Sequence, residues 1–174
     1  MAKGVVFDMR GYPTGLDTRE VLARLSRDTV HSARFLLPTF SRPYMEDAAW
    51  KDVAWTLPPK TPYIGGGRIA FLTGGGAISY AESTMGIVEA YKLGEIVGGP
   101  SAGTNGNVST FTIPSGFSFR FTGMRVVKRD GSPHHGVGIR PTVPAARTLK
   151  GVAEGRDEVL EKGIAVVMAP PRQP

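Results

Sequence analysis

Cysteine is absent from this 174-residue chain, which excludes disulfides, cysteine-ligated zinc and thiol nucleophiles and leaves the compartment open. Histidine is scarce: His31, His134 and His135 are the only three. None stands in an H-E-x-x-H spacing, so neither a histidine metal site nor any cofactor is expected. No signal-peptide pattern occurs and no apolar run reaches about 18 residues, so membrane insertion is not expected. A block of like charge is missing too. Net charge is +6, but Arg10, Arg19, Arg24, Lys51, Lys60, Arg68 and Lys92 are scattered, and only Arg120, Arg125, Lys128 and Arg129 cluster. Nucleic-acid binding needs a contiguous basic face with interleaved aromatics and is not expected here. A diffuse basic surface suits acidic peptides or envelope material instead. There is no internal repeat and no low-complexity tract.

What is present is a globular composition, 41% apolar and 21% charged, enough for one domain burying about 70% of its extended-chain surface. Residues 1–169 are expected to form that domain, with 170–174 a frayed tail. Met1-Ala2-Lys3 leads straight into an apolar strand, as in a piece of a longer protein. Gly4 to Asp8 reads as that strand, and the turn Met9 to Gly15 follows, in which Asp8 orders the backbone. A helix comes next, with Asp17 as cap, Glu20 at the third helical position, and Val21, Leu22 and Leu25 on one face. From His31 to Pro62, Pro38, Pro43, Pro58, Pro59 and Pro62 break the periodicity, giving a long excursion with short strands.

Arg68 to Thr73 reads as a second, buried strand, Tyr80 to Lys92 as a helix with Ala81, Met85, Val88 and Tyr91 inward, and Glu95 to Gly98 as a third strand. Strand-turn-helix units in series imply an α/β fold with largely parallel strands. After Gly106 the character turns to β: Val108 to Ile113, Phe117 to Thr122 and Arg125 to Lys128, with turns at Ser115-Gly116 and Asp130-Gly131. Asp157 then caps a last helix with Val159, Leu160, Ile164 and Val167 as its buried stripe. Pro170 and Pro171 stop it.

The segment from Gly74 to Glu82 carries the chemistry. After a buried strand and a glycine turn, Ser79 stands where a helix begins, and the unpaired amides and dipole of a helix start stabilise developing negative charge. The glycines allow a substrate carbonyl to approach the main chain closely. A structural reading stands beside this one, because Ser79 with Glu82 three residues on also spells a capping box.

Four stretches, in order, resemble the catalytic domain of S41 serine peptidases, which include the C-terminal processing proteases and the tricorn-like enzymes. Val5-Val-Phe-Asp-Met-Arg-Gly-Tyr-Pro-Thr-Gly15 resembles the family's strand and glycine turn, hydrophobics-Asp-Leu-Arg-x-Asn-x-Gly-Gly. Ser79-Tyr-Ala-Glu82 matches the nucleophile motif Ser-x-x-Glu. Ile96-Val-Gly-Gly-Pro-Ser-Ala-Gly103 is similar to Val-Gly-x-x-Thr-x-Gly, and Gly136-Val-Gly-Ile-Arg-Pro141 with Gly155-Arg-Asp157 to the ending Gly-Val-x-Pro-Asp and Gly-x-Asp. Residues 16–67 lie outside the resemblance.

The resemblance implies a crotonase/ClpP-like strand-strand-helix domain with a β-rich C-terminal half. Ser79 is then the acylating nucleophile of an endopeptidase acting on unfolded or C-terminal segments of polypeptide. The Tyr80 N–H and an N–H at Thr14 or Gly15 form the oxyanion hole, and Glu82 and Thr104 support the site. Thr104 stands where the processing branch has its lysine base, and threonine cannot serve as one. The tricorn-like branch takes a histidine from an upstream segment. In this chain His135 is the candidate to orient or deprotonate, its alternative being a solvated hairpin beside Asp130-Gly131. The family also implies an upstream PDZ or cap domain and a periplasmic or secreted address.

Two other functions compete. A peptidase-like domain without turnover would bind extended peptides along its sheet edges. A nucleotide-binding module would use Gly74-Gly-Gly76 as its turn and Glu95 for a ribose, and a thermal shift with NAD would reveal it. The Asn107-Val108-Ser109 sequon needs no explanation. One substitution separates the two readings of Ser79: Ser79→Ala costs roughly 0.5–2 kcal/mol of stability if the hydroxyl is a cap, and several powers of ten in rate if it is a nucleophile.

Overall fold

A computed structural model describes residues 4–42, 44 and 47–169. The expectations for Met1-Ala2-Lys3, Pro43, Pro170-Pro171 and the frayed tail lie outside the described residues. The chain runs β1 (Gly4–Asp8), α1 (Thr18–Leu25), β2 (Val30–His31), β3 (Arg34–Thr39), β4 (Ala49–Val53), β5 (Thr56–Leu57) and β6 (Arg68–Thr73). It continues through α2 (Tyr80–Tyr91), β7 (Glu95–Gly98), β8 (Val108–Thr112), β9 (Ser118–Thr122), β10 (Arg125–Val127), β11 (Val143–Pro144), α3 (Leu149–Ala153) and α4 (Glu158–Met168).

The core is a parallel four-stranded sheet in the order β1-β6-β7-β11. Its central strand β6 is buried at every residue after Arg68, which is why it reads as a continuous apolar run rather than an alternation. Successive side chains go to opposite faces. Ile69 and Phe71 join Met85, Ile87 and Val88 of α2 on one face, while Ala70 and Leu72 join Val159 and Val167 of α4 on the other. The fold is therefore α/β with a largely parallel core, as the strand-turn-helix pattern implies.

In α4 the buried stripe is Val159, Gly163 and Val167, and Ile164 is 47% exposed, which corrects the expected stripe. The reason is close approach: a Cβ on Gly163 would lie 2.6 Å from Leu72 Cδ2, so the helix rests its one bare turn on β6. The excursion folds into a small antiparallel pair, β2 with β5, and a three-stranded sheet in the order β10-β3-β4. Pro38 sits within β3 opposite Trp50. The expected third strand of the β segment, β10, leaves the β8–β9 hairpin and pairs with β3. Beyond Gly106 come β8 to β11 and then α3 and α4.

Arg10 ties the sheet to α4. Its guanidinium donates to both Asp8 carboxylate oxygens at 2.9 and 2.6 Å and to both Asp157 oxygens at 2.7 and 2.8 Å. Asp8 also accepts the Arg10 N–H at 3.1 Å and so orders the turn, as expected. Asp157 caps α4 by accepting the Leu160 N–H at 3.1 Å. Hydrogen bonds from Arg10 and then from that amide lower the Asp157 pKa to about 2.

A carboxylate whose folded pKa is depressed contributes stability above its unfolded value, and that contribution is lost as pH falls toward 2. Asp157→Ala should therefore cost about 1–2 kcal/mol at neutral pH through the lost cap, the exposed ion pair adding little. Denaturant titrations should show this cost shrinking between pH 4 and about 2.

Candidate active site

The site lies beyond the carboxyl ends of the parallel strands, where open α/β sheets place their ligands. After β6 the chain turns through Gly74 to Ile78, closed by the Ala77 N–H donating to the Gly74 carbonyl at 2.9 Å. A Cβ on Gly76 would lie 2.6 Å from the Arg10 carbonyl oxygen. Glycine is thus required for this turn to rest against the one that follows β1.

Ser79 precedes the first residue of α2 with φ 51° and ψ −110°, and its side chain makes no cap hydrogen bond. The capping-box reading is corrected here. This backbone region is normally left to glycine and costs of order 1–3 kcal/mol. The surrounding backbone holds it: the Ser79 N–H donates to the Thr104 carbonyl at 2.9 Å, the Ser79 carbonyl accepts from Ser83 N–H at 2.9 Å, and Ala102 N–H donates to the Ala77 carbonyl at 3.1 Å. The turn 101–104 after β7 therefore clamps the segment on both sides of the serine.

Glu82 in turn holds that clamp. Instead of reaching back to Ser79, its side chain is buried. One carboxylate oxygen, Oε1, accepts the Ser101 hydroxyl at 2.5 Å and the Gly103 N–H at 2.7 Å, and Oε2 accepts the Thr104 N–H at 3.0 Å. His134 Nε2 stands 3.3 Å from Oε2, within ion-pair reach but off the line of a well-aligned hydrogen bond. Burial pushes the Glu82 carboxyl upward, but His134, Ser101 and Gly103 together outweigh it and hold the pKa below the ordinary value.

Ser79 is half-buried and opens into a cavity of about 270 Å³. Tyr12, Phe35, Leu37, Val53, Trp55, Tyr80 and Met124 make it apolar, and Ser83, Asn105 and Asn107 add neutral polar groups. Trp55 packs on Tyr80 with ring centroids 5.5 Å apart, and Tyr12 lies 6.2 Å from Tyr80. Among the described residues, no histidine, lysine or carboxylate lines this cavity. A larger hollow of about 370 Å³, lined by Arg68, Glu95 and Val143, sits at the amino ends of the strands, away from Ser79.

The other expected site residues are distributed unevenly. Tyr80, as the first helical residue, offers an amide that a helix start leaves unpaired. Gly15 adopts φ 76° in the turn that contributes Tyr12 and does not itself line the cavity. Thr104 acts through its backbone, with the carbonyl on Ser79 and the amide on Glu82. His135 is exposed and is not in a solvated hairpin alone, since its Nε2 lies 2.9 Å from the Asn105 carbonyl. It stands one residue behind the cavity wall.

Sequence reasoning missed three members. His134 is buried, Ser101 bridges Glu82 and the Ile139 N–H, and buried Asn105 bonds Ser83 Oγ through its side chain at 3.1 Å. Ser101 lies inside a recognised motif, at the threonine of Val-Gly-x-x-Thr-x-Gly, and a hydroxyl there was the available signal. Nothing local marks Asn105 or distinguishes His134 from His135.

The sequence model of peptidase family S41 matches residues 1–145. No curated protein matches the sequence. A peptidase candidate from Parabacteroides merdae superposes with TM-score 0.80 at 20% identity, over 96% of this chain and 52% of that one. Mature CPAF complexed with lactacystin gives 0.73 at 12% identity, over 95% and 44%. The tricorn protease gives 0.61 at 15% identity, over 95% and 15%. At such identities the likeness is one of fold, and this chain spans about half the length of these structures or less.

The strain at Ser79 makes a stability prediction independent of any activity. Ser79→Gly should raise stability by about 1 kcal/mol by relieving the backbone, whereas Ser79→Ala should change it by less than about 0.5 kcal/mol because no cap is lost. Chemical denaturation of the two variants checks both.

Proposed function

Because the chain belongs to peptidase family S41, we propose that it forms the catalytic domain of a serine endopeptidase in which Ser79 attacks a polypeptide carbonyl. The observation that carries this reading is the strained, uncapped Ser79 at the mouth of an apolar cavity. Strain of this kind persists where structure over-determines it, and it clusters at sites of function. The side chain makes no bond to the helix start, and the residue lines the cavity in which substrate would lie.

In the proposed reaction Ser79 Oγ adds to the scissile carbonyl, and the negative charge that develops is met by the Tyr80 N–H and by an N–H of the Thr14-Gly15 turn. Collapse expels the amine and leaves an acyl-enzyme on Ser79, which water then hydrolyses. Glu82 and Thr104 support the site through the clamp on the Ser79 backbone. His135 orients the Asn105 wall, and the Ser79 proton passes to the leaving amine through a base other than the described residues that line the cavity, none of which has a basic side chain. The neutral, aromatic lining suits extended segments of unfolded or C-terminal polypeptide. Residues 1–169 act as one unit, and the parallel sheet flanked by α2 and α4 supports the crotonase/ClpP-like arrangement with a β-rich C-terminal half.

A fluorophosphonate probe on the full-length protein tests the reading, because only an activated hydroxyl reacts. Labelling should map to Ser79 and vanish in Ser79→Ala, with hydrolysis of an unfolded protein falling by roughly 10⁴-fold or more. A folded protein that remains unlabelled would instead be a peptide-binding domain without turnover. His135→Ala should lower the labelling rate by about tenfold, since it acts through Asn105. A loss above about 10³-fold would make His135 the base.

A further inference from the structure

The Glu82 carboxylate is 1% exposed, and a buried charge is tolerated only when its acceptor sites are filled. A carboxylate presents about four such sites. Three are filled by Ser101 Oγ–H, Gly103 N–H and Thr104 N–H. The fourth, on Oε2, faces His134 Nε2 at 3.3 Å, and His134 is likewise 1% exposed. An imidazole lone pair there would repel the carboxylate, whereas an N–H at that position would be attracted to it.

The backbone around His134 braces the same turn. The His134 carbonyl accepts from Val137 N–H at 3.0 Å and Gly138 N–H at 2.9 Å, folding residues 134–138 into a tight bend. From that bend Gly136 N–H donates to the Gly103 carbonyl at 2.9 Å and Ile139 N–H to Ser101 Oγ at 2.8 Å. A Cβ on Gly138 would lie 2.5 Å from Ser101 Oγ, so bend and turn are in direct contact. On its outer side His134 borders a hollow with the Lys128–Glu89 ion pair, Arg129 and Asp130, and the His135 ring lies 6.2 Å away.

We propose that His134 is a positioning residue for Ser79: its Nε2–H, within ion-pair reach of Glu82 Oε2, balances the carboxylate on the one side its three hydrogen bonds leave open and thereby steadies the turn whose Thr104 carbonyl holds the Ser79 N–H. The role rests on Ser79 being the reactive serine, but it is exerted on the backbone and does not require turnover to be seen. His134 touches neither substrate nor the Ser79 hydroxyl. Its contribution is to keep the carboxylate ionised, turned inward and bound to both amides of the turn.

The test uses the full-length protein with His134→Leu, which removes the donor at similar size, and His134→Gln, which restores an N–H. Two readouts are taken, amide hydrogen exchange of the Ser79 N–H and the rate of fluorophosphonate labelling. His134→Leu should speed Ser79 exchange and slow labelling by about tenfold or more, while His134→Gln stays within about threefold of the parent. Leu and Gln behaving alike, or Ser79 exchange unchanged in both, would overturn the role. Should the leucine variant not fold, Glu82→Gln, which points an NH₂ group at N–H donors, must itself speed Ser79 exchange by about tenfold; unchanged exchange there also overturns it. The exchange pattern without any labelling of the parent would support the positioning role and sink the peptidase reading, and normal labelling with flat exchange would do the reverse.

Discussion

Glu82 is the constraint on which the site depends. A carboxylate placed in a fully buried position must collect donors, and the donors it collects are the hydroxyl and amides of the turn that follows β7. That turn cannot move without exposing or orphaning the charge. Its Thr104 carbonyl therefore stands at a fixed point, and the Ser79 N–H is bonded to it. Helix α2, the turn and the bend at residues 134–139 are joined at a single group, and the serine is held at their junction.

The energetics favour this division of labour. A backbone strained by about 1–3 kcal/mol is too costly for a lone turn to hold, but it is small against a core sheet whose central strand is buried on both faces. Packing of α2 through Ala81, Met85 and Val88 fixes the helix axis, and the Arg10 bridge to Asp8 and Asp157 anchors the opposing turn to α4. Ser79, one of two non-glycine residues with positive φ among the described residues, takes its unfavourable conformation at the edge of an apolar cavity. Ser79 and Tyr80, the residues at the start of α2, both line that cavity.

Much of this was legible in the sequence because it follows from local pattern. The continuous apolar run of β6, the caps Asp17 and Asp157, and the inward residues of α2 are set by period and by first-turn chemistry. What could not be read depends on distant contacts. Glu82 satisfies the spacing of a capping box, and only the approach of Ser101, Gly103 and Thr104 draws it inward instead. His134 and His135 are neighbours in sequence with opposite fates, one buried against Glu82 and one exposed beside Asn105, a choice made by the bend that Gly136 and Gly138 allow. In α4 the expected Ile164 gave way to Gly163 because contact with Leu72 rewards the absence of a side chain. Burial favours the residue that fits the gap over the one that is more apolar.

In the proposed reaction Ser79 is a nucleophile whose backbone is pinned by a buried carboxylate, and the start of α2 meets the charge that develops. A crystal structure of the full-length protein carrying a phosphonate adduct measures this most directly. The adduct should form on Ser79 Oγ with its phosphoryl oxygen within hydrogen-bond distance of the Tyr80 N–H, and the Ser79 N–H should remain bonded to the Thr104 carbonyl. An adduct on another residue, or a phosphoryl oxygen turned away from the start of α2, would contradict it.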